Sequence, residues 1–240
     1  MIKGLVSVII PTCKNRHDRN NPIDMCLMSL SISTYKQIEI ICIDENKECS
    51  IQRNIGLRAA RGEFIFYLDD DQYVSKELIT ECVSLMKKYD AVYIPEIIVT
   101  DNWFGHGRNW ERRFYTGTPV DCIRFFKARE LYFDESISGP EDADYDHRYG
   151  GIRTISKNPL YHADNITFVQ YLKKKAYYAK SMELYRRRWP YDKVLDFWYR
   201  CFWIFFEKSK WKMVARKPHY ALAVFVTIFL RGVFYLCRKR

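Results

Sequence analysis

The chain has 240 residues, of which 48% are hydrophobic and 16% aromatic, so it can bury the core of one substantial α/β domain and is not a disordered chain. Its 39 lysines and arginines against 29 acidic residues leave a formal net charge of +10, which favours an anionic partner such as a nucleotide, a nucleic acid or an acidic membrane surface. The eight cysteines lack metal-binding spacing, which indicates free thiols in a reducing, cytoplasmic setting.

Strand-like and helix-like stretches alternate over the first third of the chain. Short apolar runs predict strands at residues 5–10, 38–43 and 64–68. Helices are predicted around residues 23–32, 51–60 and 76–88. This alternation predicts βαβ units and a parallel sheet with helices on both faces.

Three consecutive aspartates, Asp69, Asp70 and Asp71, follow the third predicted strand. Ligands of open α/β sheets bind at the carboxyl ends of the strands. The ends of the first two predicted strands carry Pro11, Thr12 and Asp44. Clustered carboxylates at such an edge need a cation, and Mg²⁺ or Mn²⁺ shares such oxygens with substrate phosphates. The alternative is a simple polar turn, because Asp is common after strands.

The middle of the chain, residues 91–162, is less regular. Strands are predicted over residues 91–94 and 122–126, and a long loop rich in Gly, Trp and Arg is predicted over residues 102–113. We expect this loop to serve the site, the alternative being a surface loop whose aromatic residues pack down. Helical residues follow residue 165 as far as Trp189, and Pro190 should end or kink that helix.

Two apolar segments near the C-terminus predict contact with a membrane. In residues 194–207 the charged side chains fall on one stripe, which predicts a helix lying in the membrane interface. Residues 220–237 are long enough to span a bilayer, since about 18 residues cover roughly 27 Å. Arg231 interrupts this second segment and is expected to reach towards the basic end. An interfacial helix and a soluble core or dimer helix are the alternatives.

Five motifs occur in the order and approximate spacing seen in family 2 glycosyltransferases of the GT-A fold. They are VSVIIPT (6–12), IICID (40–44), RNIGLRAARG (53–62), YLDDD (67–71) and FDESISGPED (133–142). The resemblance covers about residues 5–165. It implies an α/β, GT-A nucleotide-sugar-binding fold, a Rossmann-like mixed sheet flanked by helices, here followed by C-terminal interfacial and membrane helices.

The resemblance implies a donor site. Its residues are Pro11, Thr12, Asp44, Arg53, Asp69, Asp70, Asp71 and Arg188. Asp69 and Asp71 match the outer aspartates of the family's DXD motif, the first near the ribose and the second on an Mn²⁺ or Mg²⁺ ion that bridges the diphosphate. The ion acts as a Lewis acid while the nucleoside diphosphate leaves. Asp70 shapes the turn between them.

Glu141-Asp142 resembles the family's ED motif, in which the aspartate is the general base. One base without a covalent nucleophile predicts inversion of configuration. We therefore assign Asp142 as the catalytic residue, with Asp144 and Asp146 as rivals, and we assign Glu141 to the acceptor side. The structural alternative is a set of capping carboxylates at a helix start.

Two further positions resemble functional residues of relatives. Some relatives place a histidine near the metal or diphosphate where this chain has His162, which makes His162 a second candidate metal ligand, although a lone histidine after a strand is commonly structural. Residues 186–189 resemble the end of the QxxRW motif of cellulose-synthase-like members, with Tyr185 in place of the Gln. That likeness implies contact of Arg188 with the donor diphosphate and stacking of Trp189 on the acceptor sugar. A basic helix end attracted to anionic headgroups is the alternative.

These features predict a GT-A catalytic domain over residues 1–190, an amphipathic interfacial region over 191–217 and a membrane-inserted helix with a basic end over 218–240. The chain resembles membrane mannosyltransferases of archaeal N-glycan assembly. We expect inverting, metal-dependent transfer of a sugar, mannose from GDP-mannose, to a lipid-linked glycan at the cytoplasmic membrane face. The alternative is a polyprenyl- or dolichyl-phosphate sugar synthase with a lipid phosphate acceptor. Nucleic acid is not an expected partner, because the basic residues bracket apolar segments.

Overall fold

A computed structural model describes residues 1–12, 22–45, 47–179 and 181–237, with side chains described up to residue 232. The strands are β1 (Ile2–Pro11), β2 (Ile38–Ile43), β3 (Gly62–Tyr67), β4 (Gln72–Val74), β5 (Ala91–Tyr93), β6 (Glu96–Val99), β7 (Phe125–Lys127), β8 (Arg153–Ile155) and β9 (Leu160–Ala163). The helices are α1 (Pro22–Ser31), α2 (Cys49–Ala59), α3 (Leu78–Leu85), α4 (Trp103–Arg112), α5 (Glu141–Tyr149), α6 (Phe168–Tyr178), α7 (Met182–Arg188), α8 (Ile204–Phe206), α9 (Trp211–Arg216) and α10 (Pro218–Cys237).

The larger of two sheets has six strands in the order β2-β1-β3-β7-β5-β8. Strands β2, β1 and β3 are parallel, and β7 runs antiparallel to both of its neighbours. A smaller sheet has the order β4-β9-β6. The predicted α/β fold, a mixed sheet flanked by helices, is confirmed. The three strands of the predicted βαβ units pair in parallel, and β7, inserted between β3 and β5, makes the sheet mixed.

Strand β1 is the centre of the core because both of its faces are covered. Val6, Val8 and Ile10 point into one hydrophobic cluster together with α1 and α3 side chains, and Ile9 points into a second cluster on the opposite face. A strand buried on both sides requires a continuous apolar run, which the sequence supplies. The carboxyl end of this rigid strand therefore lies in a fixed position.

Residues 102–113 are not the predicted loop, because most of them form α4. The Asn102 side chain accepts a hydrogen bond from the Gly105 amide at 2.7 Å and caps the helix N-terminus. Glycines at positions 105 and 107 weaken the helical signal in the sequence. The packing of Trp110, which is 4% exposed, compensates for that weakness by burying one face of the helix.

The C-terminal region folds back onto α4. A third hydrophobic cluster joins Trp110 and Phe114 to Tyr199, Phe205 and side chains of α10. Residues 197–206 are helical, within the predicted 194–207, and include a π-helical segment, Tyr199–Trp203, directly before α8. The chain turns at Lys208 with a φ of 50°, and the interfacial location stays a prediction. The apolar residues that suggested one lipid-facing helix are partly used for contacts with α4.

Helix α10 begins at Pro218, as predicted. Within the residues that the structure describes, every helix is too short or too polar to cross a membrane. The membrane-inserted helix over 218–240 and the three-region division stay predictions, and residues 238–240 of the basic end lie outside the described residues. Arg231 does not extend to that end, because its Nη1 donates a hydrogen bond to the Tyr171 hydroxyl of α6 at 3.0 Å.

Candidate functional site

The carboxyl ends of β2, β1 and β3 lie side by side at one edge of the larger sheet. Pro11 is in register with Ile43. Thr12 Oγ1 donates hydrogen bonds to the Ile43 carbonyl at 3.0 Å and to Asp44 Oδ1 at 3.3 Å. Asp69 follows β3 at the same edge. The structure therefore brings the predicted strand-end residues together.

The three aspartates form the turn between β3 and β4. The Asp69 amide donates to Gln72 Oε1 at 3.1 Å, and the Gln72 amide donates to the Asp69 carbonyl at 2.9 Å. Asp70 and Asp71 are 5% and 7% exposed, and the Asp71 carbonyl accepts a hydrogen bond from the Ala163 amide at 2.9 Å. The residues do make a turn, and this turn also places carboxylates inside the site.

Arg53 of α2 connects this turn to the Glu141-Asp142 segment. Its side chain is 4% exposed, with Nη2 at 3.1 Å from Asp69 Oδ1 and Nη1 at 3.3 Å from Glu141 Oε1. The same Nη1 also pairs with Asp142. Burial opposes the charge of Arg53, but its acidic neighbours, Asp142 foremost, raise its pKa well above the usual value. Asp69 and the candidate base Asp142 thus contact one guanidinium.

The motif around Arg53 fixes α2 against both β1 and the chain leading to α5. Asn54 Nδ2 donates to the Phe133 carbonyl at 3.0 Å, and the Phe133 amide donates to Asn54 Oδ1 at 2.7 Å. A Cβ on Gly56 would lie 2.3 Å from Cγ2 of Ile9, so only glycine permits this approach of helix and strand. These contacts position Arg53 without involving its guanidinium.

Glu141 and Asp142 occupy the first turn of α5. The Gly139 amide donates to Glu141 Oε2 at 2.5 Å. Gly139 has a φ of +100°, and a Cβ there would lie 2.5 Å from Cβ of Tyr178. Burial and the neighbouring charge of Asp142 raise the pKa of Glu141 to about 7, while Arg53 opposes that shift. Asp142 is the more accessible of the two carboxylates, with a side chain 25% exposed against 12%.

The two rival carboxylates are used in structural contacts. Asp144 is fully buried and accepts hydrogen bonds from Arg148 at 2.8 Å, from Arg188 at 2.8 Å and from Trp189 Nε1 at 3.0 Å. Asp146 accepts from the Tyr93 hydroxyl and the Ile123 amide and pairs with Arg153. Neither carboxylate is placed to receive a proton from a substrate. The pair of Arg148 and Asp144 lies within α5, one helical turn apart.

A buried ionic network occupies the other side of the turn. His162 lies between two carboxylates, with Nε2 at 3.3 Å from Asp71 Oδ1 and Nδ1 at 2.8 Å from Glu96 Oε1. Burial lowers the pKa of His162, but the hydrogen bonds to Asp71 and Glu96 outweigh it and raise that pKa to about 10. Glu96 also pairs with Arg112 at 2.8 Å and with Arg124 at 3.5 Å. Arg124 reaches back to Asp69 at 3.6 Å.

The sequence assigned no role to Glu96 or Arg124. Each is a charged residue within an apolar run, and the buried location of such a residue requires a partner of opposite charge. A charged residue in an apolar run is therefore a sign of a buried ion pair. The sequence does not show that both residues are linked to the turn formed by Asp69, Asp70 and Asp71, because that contact depends on the fold.

Asp71 fits a divalent cation whose remaining ligands are phosphate oxygens and water. His162 can join as a ligand through Nε2 only after losing the proton that Asp71 and Glu96 stabilise. Mg²⁺ and Mn²⁺ are commonly held by one or two protein side chains plus substrate phosphates. Among the described residues, no group of three or more His, Cys, Asp or Glu side chains could hold a metal ion unaided.

Arg188 and Trp189 lie at the end of α7, packed against α5. Arg188 bridges Asp134 at 2.6 Å and Asp144 at 2.8 Å. The Trp189 ring stacks on His147, with centroids 4.6 Å apart and planes at 25°. Both residues thus support the segment that carries Asp142, and their predicted contacts with diphosphate and acceptor stay predictions.

Part of this chain is similar in sequence to known glycosyltransferases. A sequence model described as glycosyl transferase family 2 matches residues 44–137. Poly(ribitol-phosphate) beta-N-acetylglucosaminyltransferase TarS of Staphylococcus aureus is 25% identical over 104 residues, which cover 38% of this chain and 18% of that protein. Most of that relative's length is therefore outside the match.

Two solved structures share the fold. The crystal structure of S. aureus TarS superposes over 98% of this chain and 53% of its own, with 16% identity and a TM-score of 0.51. Mannosyltransferase PcManGT from Pyrobaculum calidifontis, solved in complex with GDP-Man and Mn²⁺, superposes over 98% of this chain and 88% of its own, with 15% identity and a TM-score of 0.58. The family model thus matches fewer than half of the residues of this chain, and the two solved structures show that it shares their fold.

Proposed function

We propose that this chain is an inverting, metal-dependent glycosyltransferase in which Asp142 is the general base. One observation carries the proposal: Arg53 contacts Asp69, which follows β3, and Asp142, at the start of α5. A donor-side carboxylate and a candidate base are thereby held in a single site, although they come from distant parts of the chain. The side chain of Asp142 is 25% exposed, against 0% for Asp144 and 13% for Asp146, so Asp142 is the most accessible of the three to an acceptor hydroxyl.

In this mechanism the chain's own residues bind the donor at the edge of the sheet. Pro11, Thr12 and Asp44 border the base and ribose, and Asp69 is oriented by Arg53 and Arg124. Asp71 and His162 would hold Mn²⁺ or Mg²⁺, which supplies Lewis-acid neutralisation of the leaving diphosphate. Asp142 takes the proton of the acceptor hydroxyl on the opposite face of the sugar, so the configuration inverts.

We further propose GDP-mannose as the donor, supported by the likeness of the fold to PcManGT, which was solved with GDP-Man and Mn²⁺. The proposed acceptor is a lipid-linked glycan at the cytoplasmic membrane face. Exposed tryptophans in the tail support this, since Trp198, Trp203 and Trp211 are 69%, 59% and 50% exposed, and tryptophan is favoured at membrane interfaces.

The experiment is sugar transfer from labelled GDP-mannose, with Mn²⁺, to a polyprenyl-diphosphate-linked glycan, comparing wild type, Asp142→Asn and the exposed control Asp24→Asn. Loss of a general base costs roughly 10²- to 10⁴-fold in rate, so Asp142→Asn should lose transfer while Asp24→Asn keeps it. Unchanged transfer by Asp142→Asn contradicts the proposal. A mild loss, seen only with a polyprenyl phosphate acceptor, indicates the synthase alternative, because that nucleophile is already ionised.

A further inference from the structure

Cationic side chains from three separate elements meet between α4, α6 and α10. They are Lys175 of α6, Arg200 of the π-helical segment and Arg231 of α10. Lys175 Nζ lies 5.5 Å from the ring centroid of Tyr171, whose hydroxyl accepts the hydrogen bond from Arg231. The Arg200 guanidinium lies 5.7 Å from the ring centroid of Tyr115. Two buried tyrosines, 4% and 7% exposed, thus pack against these cations: Tyr171 against Lys175 and Arg231, and Tyr115 against Arg200.

The acidic residues near these cations already have partners. Arg108, a fourth cation beside Tyr171, is paired with Asp164 at 2.5 Å. Glu111 is close enough to affect Arg231, and it accepts a hydrogen bond from the Tyr115 hydroxyl. Arg200 Nε is buried and finds no hydrogen-bond partner within the part of the chain that the structure describes. Burying positive charge is costly unless an anion balances it.

The electrostatic consequence is seen at Lys175. Burial, and repulsion from Arg231 and Arg200, hold the pKa of its amino group well below the usual range. A bound anion would remove this repulsion. One arginine guanidinium can donate two parallel hydrogen bonds to two oxygens of a phosphate group, and a lysine ammonium adds a compact positive charge with further donors. The cluster therefore has the donors that a phosphate group requires.

We propose that Lys175, Arg200 and Arg231 form a second anion-binding site that takes a phosphate or diphosphate group. The site goes beyond the proposed function, because it is built from α6, the π-helical segment and α10 and shares no residue with the donor site at the sheet edge. Free diphosphate and the phosphate headgroup of a lipid are two sources of the same chemistry. Exposed tryptophans on the tail are typical of a membrane interface, so the test includes lipid vesicles as well as free diphosphate.

The test uses the full chain in metal-free buffer, where the acidic donor site repels diphosphate. Binding of inorganic diphosphate is measured by calorimetry on wild type, Lys175→Gln, Arg200→Gln and the control Lys87→Gln. The control removes one positive charge, as the cluster variants do, but from an exposed lysine outside the cluster. Flotation is run with vesicles of phosphatidylcholine alone and of phosphatidylcholine with phosphatidic acid. Lys175→Gln should still fold, because it removes a cation that the neighbouring arginines repel, so its thermal midpoint should be unchanged or higher.

We expect diphosphate to bind wild type and Lys87→Gln and to raise their thermal midpoints. Each cluster variant should bind it about tenfold more weakly or worse, the loss expected for one charged hydrogen bond. Binding of free diphosphate alone identifies a soluble phosphate source, and cluster-dependent flotation with phosphatidic acid identifies a lipid headgroup. The proposal is overturned if neither probe binds, or if Lys175→Gln and Arg200→Gln bind both probes as tightly as wild type.

Discussion

Replacing Arg53 with methionine removes the cation that holds three carboxylates of the site together. The Arg53 side chain is 4% exposed and pairs with Asp69, Glu141 and Asp142. Removing one member of a buried ion pair costs about 3–5 kcal/mol, because the remaining charge is left uncompensated. We therefore expect Arg53→Met to lower the free energy of unfolding by at least about 3 kcal/mol at alkaline pH.

The loss should depend on pH in a definite direction. The pKa of Glu141 in the fold is about 7, above the ordinary 4.5, so the fold already loses stability as pH rises from 4.5 towards 7. Without Arg53, only backbone hydrogen bonds, such as that from the Gly139 amide, oppose the rise in the Glu141 pKa, and repulsion between Glu141 and Asp142 grows as both ionise. The deficit of Arg53→Met should therefore shrink below pH 7, where Glu141 is protonated in the fold.

The assay is urea unfolding at several pH values, with Arg58→Met as the matched control. Arg58 is on the same helix, 56% exposed, and lies 3.9 Å from Glu135. Exposed pairs of this kind contribute about 0–1 kcal/mol, so the control should change little. Equal, small losses for both variants with no dependence on pH would refute the role given to Arg53.

Two further predictions concern packing and titration. Gly56→Ala places a Cβ 2.3 Å from Ile9 Cγ2 and should destabilise by about 1–3 kcal/mol, whereas Gly107→Ala meets no atom within 4 Å and should stabilise by about 0.5–1 kcal/mol, as measured by urea unfolding. Opposite signs would contradict the helix packing described. The hydrogen bond to Asp192 raises the pKa of His147 above 6.5, so its stabilising contribution should be lost as pH rises through that raised value. In His147→Gln this loss should be absent, and an unchanged pH profile of unfolding would argue against the pairing.

The sequence predicted the part of the fold that local patterns determine. The three strands leading to Pro11, Asp44 and Asp69 were recognised because each is a short apolar run that ends in polar residues, and neighbouring parallel strands bring such ends to one edge. The structural alternative for Asp142, a carboxylate at a helix start, also agrees with its position, since α5 begins at Glu141. These features depend on residues close together in the chain.

The features that were missed depend on tertiary contacts. Helix α4 looked like a loop because of Gly105 and Gly107, and its stability comes from the burial of Trp110 against the tail. The contacts of the tail with α4 were also not predicted, since apolar side chains that pack on protein have the same pattern as those that face lipid. Pairing of Arg53 with carboxylates far along the chain also has no local signature.

Binding of GDP-mannose in the presence of Mn²⁺, measured by calorimetry, tests the central claim most directly. We expect wild type and Asp142→Asn to bind the nucleotide-sugar, because the general base is not needed to hold the donor. We expect Asp71→Asn, and wild type with chelator, to lose about tenfold or more in affinity, since a charged ligand contact is removed. Failure of wild type to bind any nucleoside-diphosphate sugar, or binding that is indifferent to both Mn²⁺ and Asp71, would contradict a metal-dependent donor site at the sheet edge.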